Sequence, residues 1–199
     1  MRRFEEAIDE ILKGITNAMN QVNPTQIEGA TQALLHARDE ERQVLIVGAG
    51  RSGLVGRAFA MRLMHLGFNV YVMGETINPA VGEDDLAIII SGSGSTALPV
   101  TVAEIAKKLG VKVLAITSNP QSLLGKAADH IIRVPGRSRM ALEEEYHSRQ
   151  LLGEHESLTP LGTLFENSCM ILLDCLIAEL MGRLGMSEEE MKRRHAAIE

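Results

Sequence analysis

Ser91-Gly92-Ser93-Gly94-Ser95-Thr96 gathers four hydroxyls and two glycines directly after Ala87-Ile88-Ile89-Ile90. The apolar half, three of its four residues β-branched, reads as a buried parallel strand, and the polar half as the turn leaving its carboxyl end. Ala97–Leu109 continues at helical spacing, with Val100, Ala103, Ile105 and Leu109 apolar and Pro99 in the first turn, where proline is tolerated. A strand, a hydroxyl-rich turn and a helix N-terminus in that order converge N–H groups, the positive end of a helix dipole and hydroxyl donors. That is a site for a small anion, above all a phosphate. A flexible Gly/Ser linker shares the composition, but a linker does not sit flush between a strand and a helix.

Gly48-Ala49-Gly50-Arg51-Ser52-Gly53 forms a second glycine turn, between an apparent strand at Val44–Val47 and a helical pattern at Ser52–Leu66. It matches G-x-G-x-x-G, and Glu75 follows the next strand at the spacing of a ribose-binding acid, so a dinucleotide oxidoreductase is one reading. The other is a small anionic ligand held jointly by both turns. Arg51 favours the latter, because it sets a long cation where a pyrophosphate needs close backbone approach. A dinucleotide would also leave the 91–96 run without a role. If the strand order is 2-1-3-4-5, the turns after strands one and three face each other at the topological switch point.

These turns require an α/β frame. Strands are expected at Val44–Val47, Val70–Met73, Leu86–Ile90, Lys112–Ile116 and Ile131–Val134, with helices at Ser52–Leu66, Ala97–Leu109 and Gln121–Ala128. The Gly74–Asp85 connection shows turns at Asn78-Pro79 and Gly82 and no helix. Ahead of the frame, Phe4, Ile8, Ile11, Leu12, Ile15, Met19 and Val22 form one helical stripe. Asn23-Pro24-Thr25-Gln26 then reads as N-cap, opening proline and third-position glutamine of a second helix, with Ile27, Ala30, Leu34 and Leu35 apolar. Beyond it, 136–158 is a polar excursion, Leu161–Leu184 a long buried helix, and Ser187 caps a short helix reaching Ile198. The expected architecture is a three-layer α/β sandwich on a five-stranded parallel sheet of flavodoxin-like order. One domain spans 1–199: a helical hairpin (1–42), the α/β core (43–135), the excursion (136–160) and C-terminal helices (161–199).

Composition removes several alternatives. The chain of 199 residues carries a formal charge of −6 and only 3% aromatic residues, which argues against a nucleic-acid partner. The most apolar run, Met170–Met186, contains Asp174, Glu179 and Arg183, against a membrane span. The N-terminus shows no signal-peptide pattern, and Cys169 and Cys175 read as reduced core thiols of a cytoplasmic protein. The histidines, at positions 36, 65, 130, 147, 155 and 195, form no metal-binding spacing. Thr163-Leu164-Phe165-Glu166 has the form of a T-x-x-E capping box.

The pairing of Gly48-Ala-Gly-Arg-Ser-Gly53 with Ile90-Ser-Gly-Ser-Gly-Ser-Thr96 resembles the sugar isomerase (SIS) domain family, whose phosphosugar sites use these two turns. Further runs are similar to its 6-phospho-3-hexuloisomerase branch: Arg57-Ala-Phe-Ala-Met-Arg-Leu-Met-His-Leu-Gly67, Gly74-Glu-Thr76, Pro160-Leu-Gly-Thr-Leu-Phe-Glu166 and Arg194-His195. The excursion is longer than the family pattern. The resemblance implies interconversion of 3-hexulose 6-phosphate and fructose 6-phosphate through a cis-enediolate, without metal or redox cofactor, in ribulose-monophosphate formaldehyde fixation. Related SIS isomerases of pentose or heptose phosphates, and non-catalytic sugar-phosphate-sensing SIS modules, share both turns. Glu166 is implied as the base, His195 as proton shuttle or orienting group. Gly50, Arg51, Ser52, Ser91, Gly92, Ser93, Gly94, Ser95 and Thr96 are implied as the substrate-binding set. His65, thirteen residues after Ser52, lies ~20 Å along a helix from the turn and cannot reach its own subunit's site. A homotetramer, a dimer of dimers with sites shared between subunits, is expected.

Overall fold

The computed structural model describes residues 1–136 and 157–194. The elements run α1 (Arg2–Met19), α2 (Pro24–Asp39), β1 (Gln43–Gly48), α3 (Arg51–His65), β2 (Asn69–Val72), β3 (Leu86–Ile90), α4 (Ala97–Lys108), β4 (Lys112–Thr117), α5 (Leu123–Ala127), β5 (His130–Arg133), α6 (Thr163–Leu184) and α7 (Glu188–Lys192). All five strands are parallel, in the order β2-β1-β3-β4-β5. The expected sheet is therefore present, its strands displaced by a residue or so at the ends. The 136–158 excursion lies, apart from its ends, outside the described residues.

β3 is buried along its whole length because both sheet faces are covered. Its side chains alternate between two cores. Leu86, Ile88 and Ile90 join α2, α3 and α6 on one face, while Ala87 and Ile89 join α4 on the other. β1 and β4 divide the same way, Ile46 and Ile116 to the first core, Val47 and Ala115 to the second. In register, Gly48 of β1 faces Ile90 of β3, so the two glycine turns leave the sheet side by side at the switch point. At the opposite strand ends, carboxylates take the entering N–H groups. Asp85 accepts from Gln43 and Gly82, and Asp129 accepts from Val113, each at 2.8 Å.

Three local expectations are corrected, and the α1 stripe is placed. Asn23 caps α2 through Thr25 N–H as expected, but Gln26 does not close a capping box. Its Oε1 accepts the Arg133 N–H at 3.0 Å and ties α2 to β5, a tertiary partner outcompeting a local one. α6 is buried on one side only: Leu172, Leu173, Leu176, Ile177 and Leu180 face the core, while Ile171, Asp174 and Glu179 face out. Cys175 is exposed rather than a core thiol, on the rim of a 480 Å³ groove between α2 and α6 that no candidate site residue lines. The α1 stripe is buried only at its C-terminal end, by Ile15, while Phe4, Ile8 and Leu12 stand 60%, 41% and 59% exposed. Ser187 caps α7 as expected, and Glu190 completes a capping box with it; the far end of that expected helix lies outside the described residues.

Candidate active site

The turn after β1 becomes a helix at Gly50, whose φ of +56° and ψ of −132° suit glycine. Its carbonyl accepts Gly53 N–H at 3.0 Å and Leu54 N–H at 3.3 Å, opening α3. The N–H groups of Arg51 and Ser52 belong to the first turn, ahead of any intrahelical acceptor, and so face the space above the sheet. The Arg51 side chain is exposed and Ser52 is half-buried.

The turn after β3 is held from beneath. Ser91 N–H extends the ladder to Ile116 carbonyl at 3.0 Å, and Gly92 carbonyl accepts both Ser118 N–H at 3.0 Å and Thr117 Oγ1 at 3.2 Å. Gly94 is buried at φ +62°, where a Cβ would overlap Ser122 Oγ, and its carbonyl accepts Leu124 N–H at 3.0 Å. This anchoring leaves the hydroxyl residues Ser93, Ser95 and Thr96 outward and exposed while Ser91 is buried. Thr96 is the N-cap of α4 by position, yet its side chain makes no capping bond, and Ser91 Oγ lies 3.5 Å from Thr96 Oγ1. The hydroxyls are thus turned to the same space as the first N–H groups of α4.

The third wall is the start of α6. Thr163 is not the N-cap the T-x-x-E pattern predicts. Its N–H bonds Pro160 carbonyl at 3.2 Å, which draws it into the helix and leaves Gly162, at φ +97°, as the cap. Glu166 is then the fourth helical residue, with its own N–H on Gly162 carbonyl at 3.0 Å, one position too far along for a capping box. Its carboxylate, 14% exposed, lies over Gly162 and is held by Nε of Arg51 from the first turn. Phe165 locks the same helix start to the second turn: it is 4% exposed, and its ring lies 3.0 Å from where a Gly92 Cβ would stand.

Both turns and Glu166 therefore adjoin at the carboxyl ends of β1 and β3. Two further residues border them that the sequence patterns did not assign to the site. Phe165 is one. Glu10 of α1 is the other: its carboxylate accepts from Ser157 Oγ, from Leu158 N–H at 2.9 Å and from Thr159 Oγ1 at 3.2 Å, so it pins the segment leading to Pro160. Nothing in the sequence distinguishes Glu10 from its neighbours Glu5, Glu6 and Asp9. Burial pushes the Cys169 thiol, one turn beyond Glu166, well up, and the Glu166 charge adds to the shift, so this sulfur stays protonated and is no rival base.

The remaining candidates lie elsewhere. Glu75 pairs with Arg57 at 2.6 Å on the second turn of α3. His65 is buried at the far end of α3. His195 lies outside the described residues, but Arg194 before it packs its guanidinium where a Gly67 Cβ would stand, beside that same far end. Among the described residues, no cluster of histidine, cysteine or carboxylate side chains is placed to hold a metal ion, and no helix is long and apolar enough to cross a membrane.

Residues 39–141 match the SIS domain model, a span containing both turns. A protein of Aeropyrum pernix with no assigned activity is 51% identical, over 98% of this chain and 92% of its own. The protein named 3-hexulose-6-phosphate isomerase in Bacillus subtilis is 38% identical, over 98% of each chain. A crystal structure from Methanococcus jannaschii, described as inferring a 3-hexulose-6-phosphate isomerase function, aligns with a TM-score of 0.77 at 34% identity, over 98% of this chain and 99% of that one. Both glycine turns thus lie within a match to a sugar-isomerase family rather than to a dinucleotide-binding one. The chain belongs to the SIS domain family, alongside the 3-hexulose-6-phosphate isomerases.

Proposed function

We propose that this protein interconverts 3-hexulose 6-phosphate and fructose 6-phosphate. One observation carries the reading: a carboxylate, Glu166, is held by Arg51 of the first anion-binding turn in place of a capping bond, while its neighbour Phe165 packs on the second turn. The phosphate would be met by the first N–H groups of α3 and α4 and by the hydroxyls of Ser52, Ser91, Ser93, Ser95 and Thr96, with Gly50, Gly92 and Gly94 shaping the turns. Glu166 then takes the carbon-bound proton next to the carbonyl and returns it to the neighbouring carbon, while the hydroxyl proton crosses the other way. The intermediate is a cis-enediolate whose oxyanion the N–H donors stabilise.

A second group must carry the hydroxyl proton, and we assign it to His195 of another subunit. Arg194, the last described residue, is seated at Gly67, at the end of α3 remote from Arg51 and about 20 Å away along fifteen helical residues. The exposed Phe4, Ile8 and Leu12 of α1 support burial against a second copy, in a dimer of dimers. The two free cysteines suit a cytoplasmic setting.

The test is carbon-bound proton exchange of fructose 6-phosphate in heavy water, followed by NMR without added cofactor. Wild type exchanges, and Glu166→Gln falls by roughly two to four orders of magnitude while still binding the sugar phosphate. Binding without exchange in wild type would make the protein a sensor, and undiminished exchange in Glu166→Gln would remove this residue as the base.

A further inference from the structure

The Arg51–Glu166 pair presents a chemical difficulty that points to a further role. A carboxylate that takes a proton from carbon must close on its substrate, yet Nε of Arg51 already occupies one of the two Glu166 oxygens, Oε2. The two residues lie 115 positions apart and come from different helices, so the contact is made by the fold and not by local sequence. The partners are unequal. Glu166 is largely enclosed, at 14% exposure, whereas Arg51 is 62% exposed on the first helical residue of α3, free to swing. Beside it stand Ser52 and the N–H groups expected to receive phosphate.

We infer that Arg51 is a phosphate-operated latch on the base, which deepens the isomerase reading and rests on it. A phosphate dianion offers a guanidinium twice the charge of a carboxylate and a bidentate edge. Arriving at the two turns, it takes Arg51 from Glu166 and leaves the carboxylate free over Gly162, facing the sugar. Once the phosphate departs, the pair re-forms and the base is covered again. The phosphate thus acts as a specificity element beyond tethering, because a sugar without one meets an engaged base. A rigid arginine that merely tethers phosphate, or merely aligns Glu166, has no such consequence.

The experiment separates the substrate into its parts. Carbon-bound proton exchange of unphosphorylated D-fructose in heavy water is measured with and without inorganic phosphite, for wild type, Arg51→Met and Arg51→Lys. Wild type should exchange fructose slowly and accelerate on adding phosphite. In Arg51→Met, fructose alone should exchange faster than in wild type by roughly ten- to a hundredfold, the range for releasing a hydrogen bond to a charged partner. Phosphite should add little to that rate. Arg51→Lys keeps a cation and should restore part of the restraint and part of the acceleration.

Fructose exchange in Arg51→Met at or below the wild-type rate would overturn the latch, since Arg51 would then align the base or only bind phosphate. Absence of phosphite acceleration in wild type would overturn it too. Failure of the isomerase reading is visible separately, as absent exchange of fructose 6-phosphate by wild type or undiminished exchange in Glu166→Gln.

Discussion

Gly94→Ala tests whether the second turn is the rigid phosphate cradle its hydrogen bonds describe. Gly94 is buried at φ +62°, and an added Cβ would overlap Ser122 Oγ and stand 2.6 Å from Ser122 Cβ and 3.1 Å from Thr117 Oγ1. Two costs combine. Holding an alanine in left-handed backbone costs ~1–2 kcal/mol, and forcing a methyl into filled space costs ~1–3 kcal/mol. The expected loss of stability is therefore about 2–5 kcal/mol, most of which the fold survives if its stability is typical of single domains. Because Ser122 caps α5 through Gly125 N–H at 3.2 Å and cannot retreat freely, the turn must shift instead. That shift moves Ser93 and Ser95, and fructose 6-phosphate affinity should fall at least about tenfold, ~1.4 kcal/mol. Gly50→Ala is the control: its backbone is unfavourable for L-residues, at ~1–3 kcal/mol, but a Cβ there meets nothing within 4 Å. Urea denaturation gives the stabilities and calorimetry the affinities. A Gly94→Ala protein within ~0.5 kcal/mol of wild type, the margin of an ordinary surface change, would refute the cradle.

Subunits inactivated by Glu166→Gln and by His195→Asn should regain part of the isomerase activity when mixed and allowed to exchange, because one of the two shared sites in each mixed pair would then be intact. No recovery on proven exchange, or full activity of His195→Asn alone, would confine the site to one chain. Arg183 grips Glu28 with both Nη atoms, at 2.8 and 2.5 Å, and with Gln32 Nε2 on the same carboxylate it draws the Glu28 pKa from 4.5 down to about 2. A depressed carboxylate stabilises the fold above its unfolded value and loses that contribution as pH falls through the folded one. Thermal melting should therefore show an acid-side loss between pH 4.5 and about 2 that Glu28→Gln reduces, and an identical melting profile would remove this α2–α6 tie.

The frame was legible because parallel strands buried on both faces leave a distinctive mark. Ala87–Ile90 and Val113–Ile116 are apolar runs of strand length, and the glycine turns after β1 and β3 can meet only if those strands are neighbours. Two of the misreadings share one physical cause: a polar side chain expected on a local partner took a distant one. Gln26 passed over its own helix cap for Arg133 N–H, and Glu166 passed over its cap for Arg51. Local rules weigh only neighbours within a turn of helix, so neither choice appears in residue spacing. The α1 stripe has the same limit at larger scale, since Phe4, Ile8 and Leu12 announce a surface to be covered and say nothing of what covers it. For Glu166 the departure has a clear consequence. A carboxylate satisfied by its own helix terminus would be stabilised as the anion and held there by several N–H groups, fixed against the backbone. Pro160 and Gly162 displace the helix start by one residue and deny it that partner, leaving a single exposed guanidinium in its place. One mobile partner can be taken away by a ligand, whereas a helix terminus cannot. If Glu166 is the base proposed above, the failure of the capping rule at this position is what leaves it able to act.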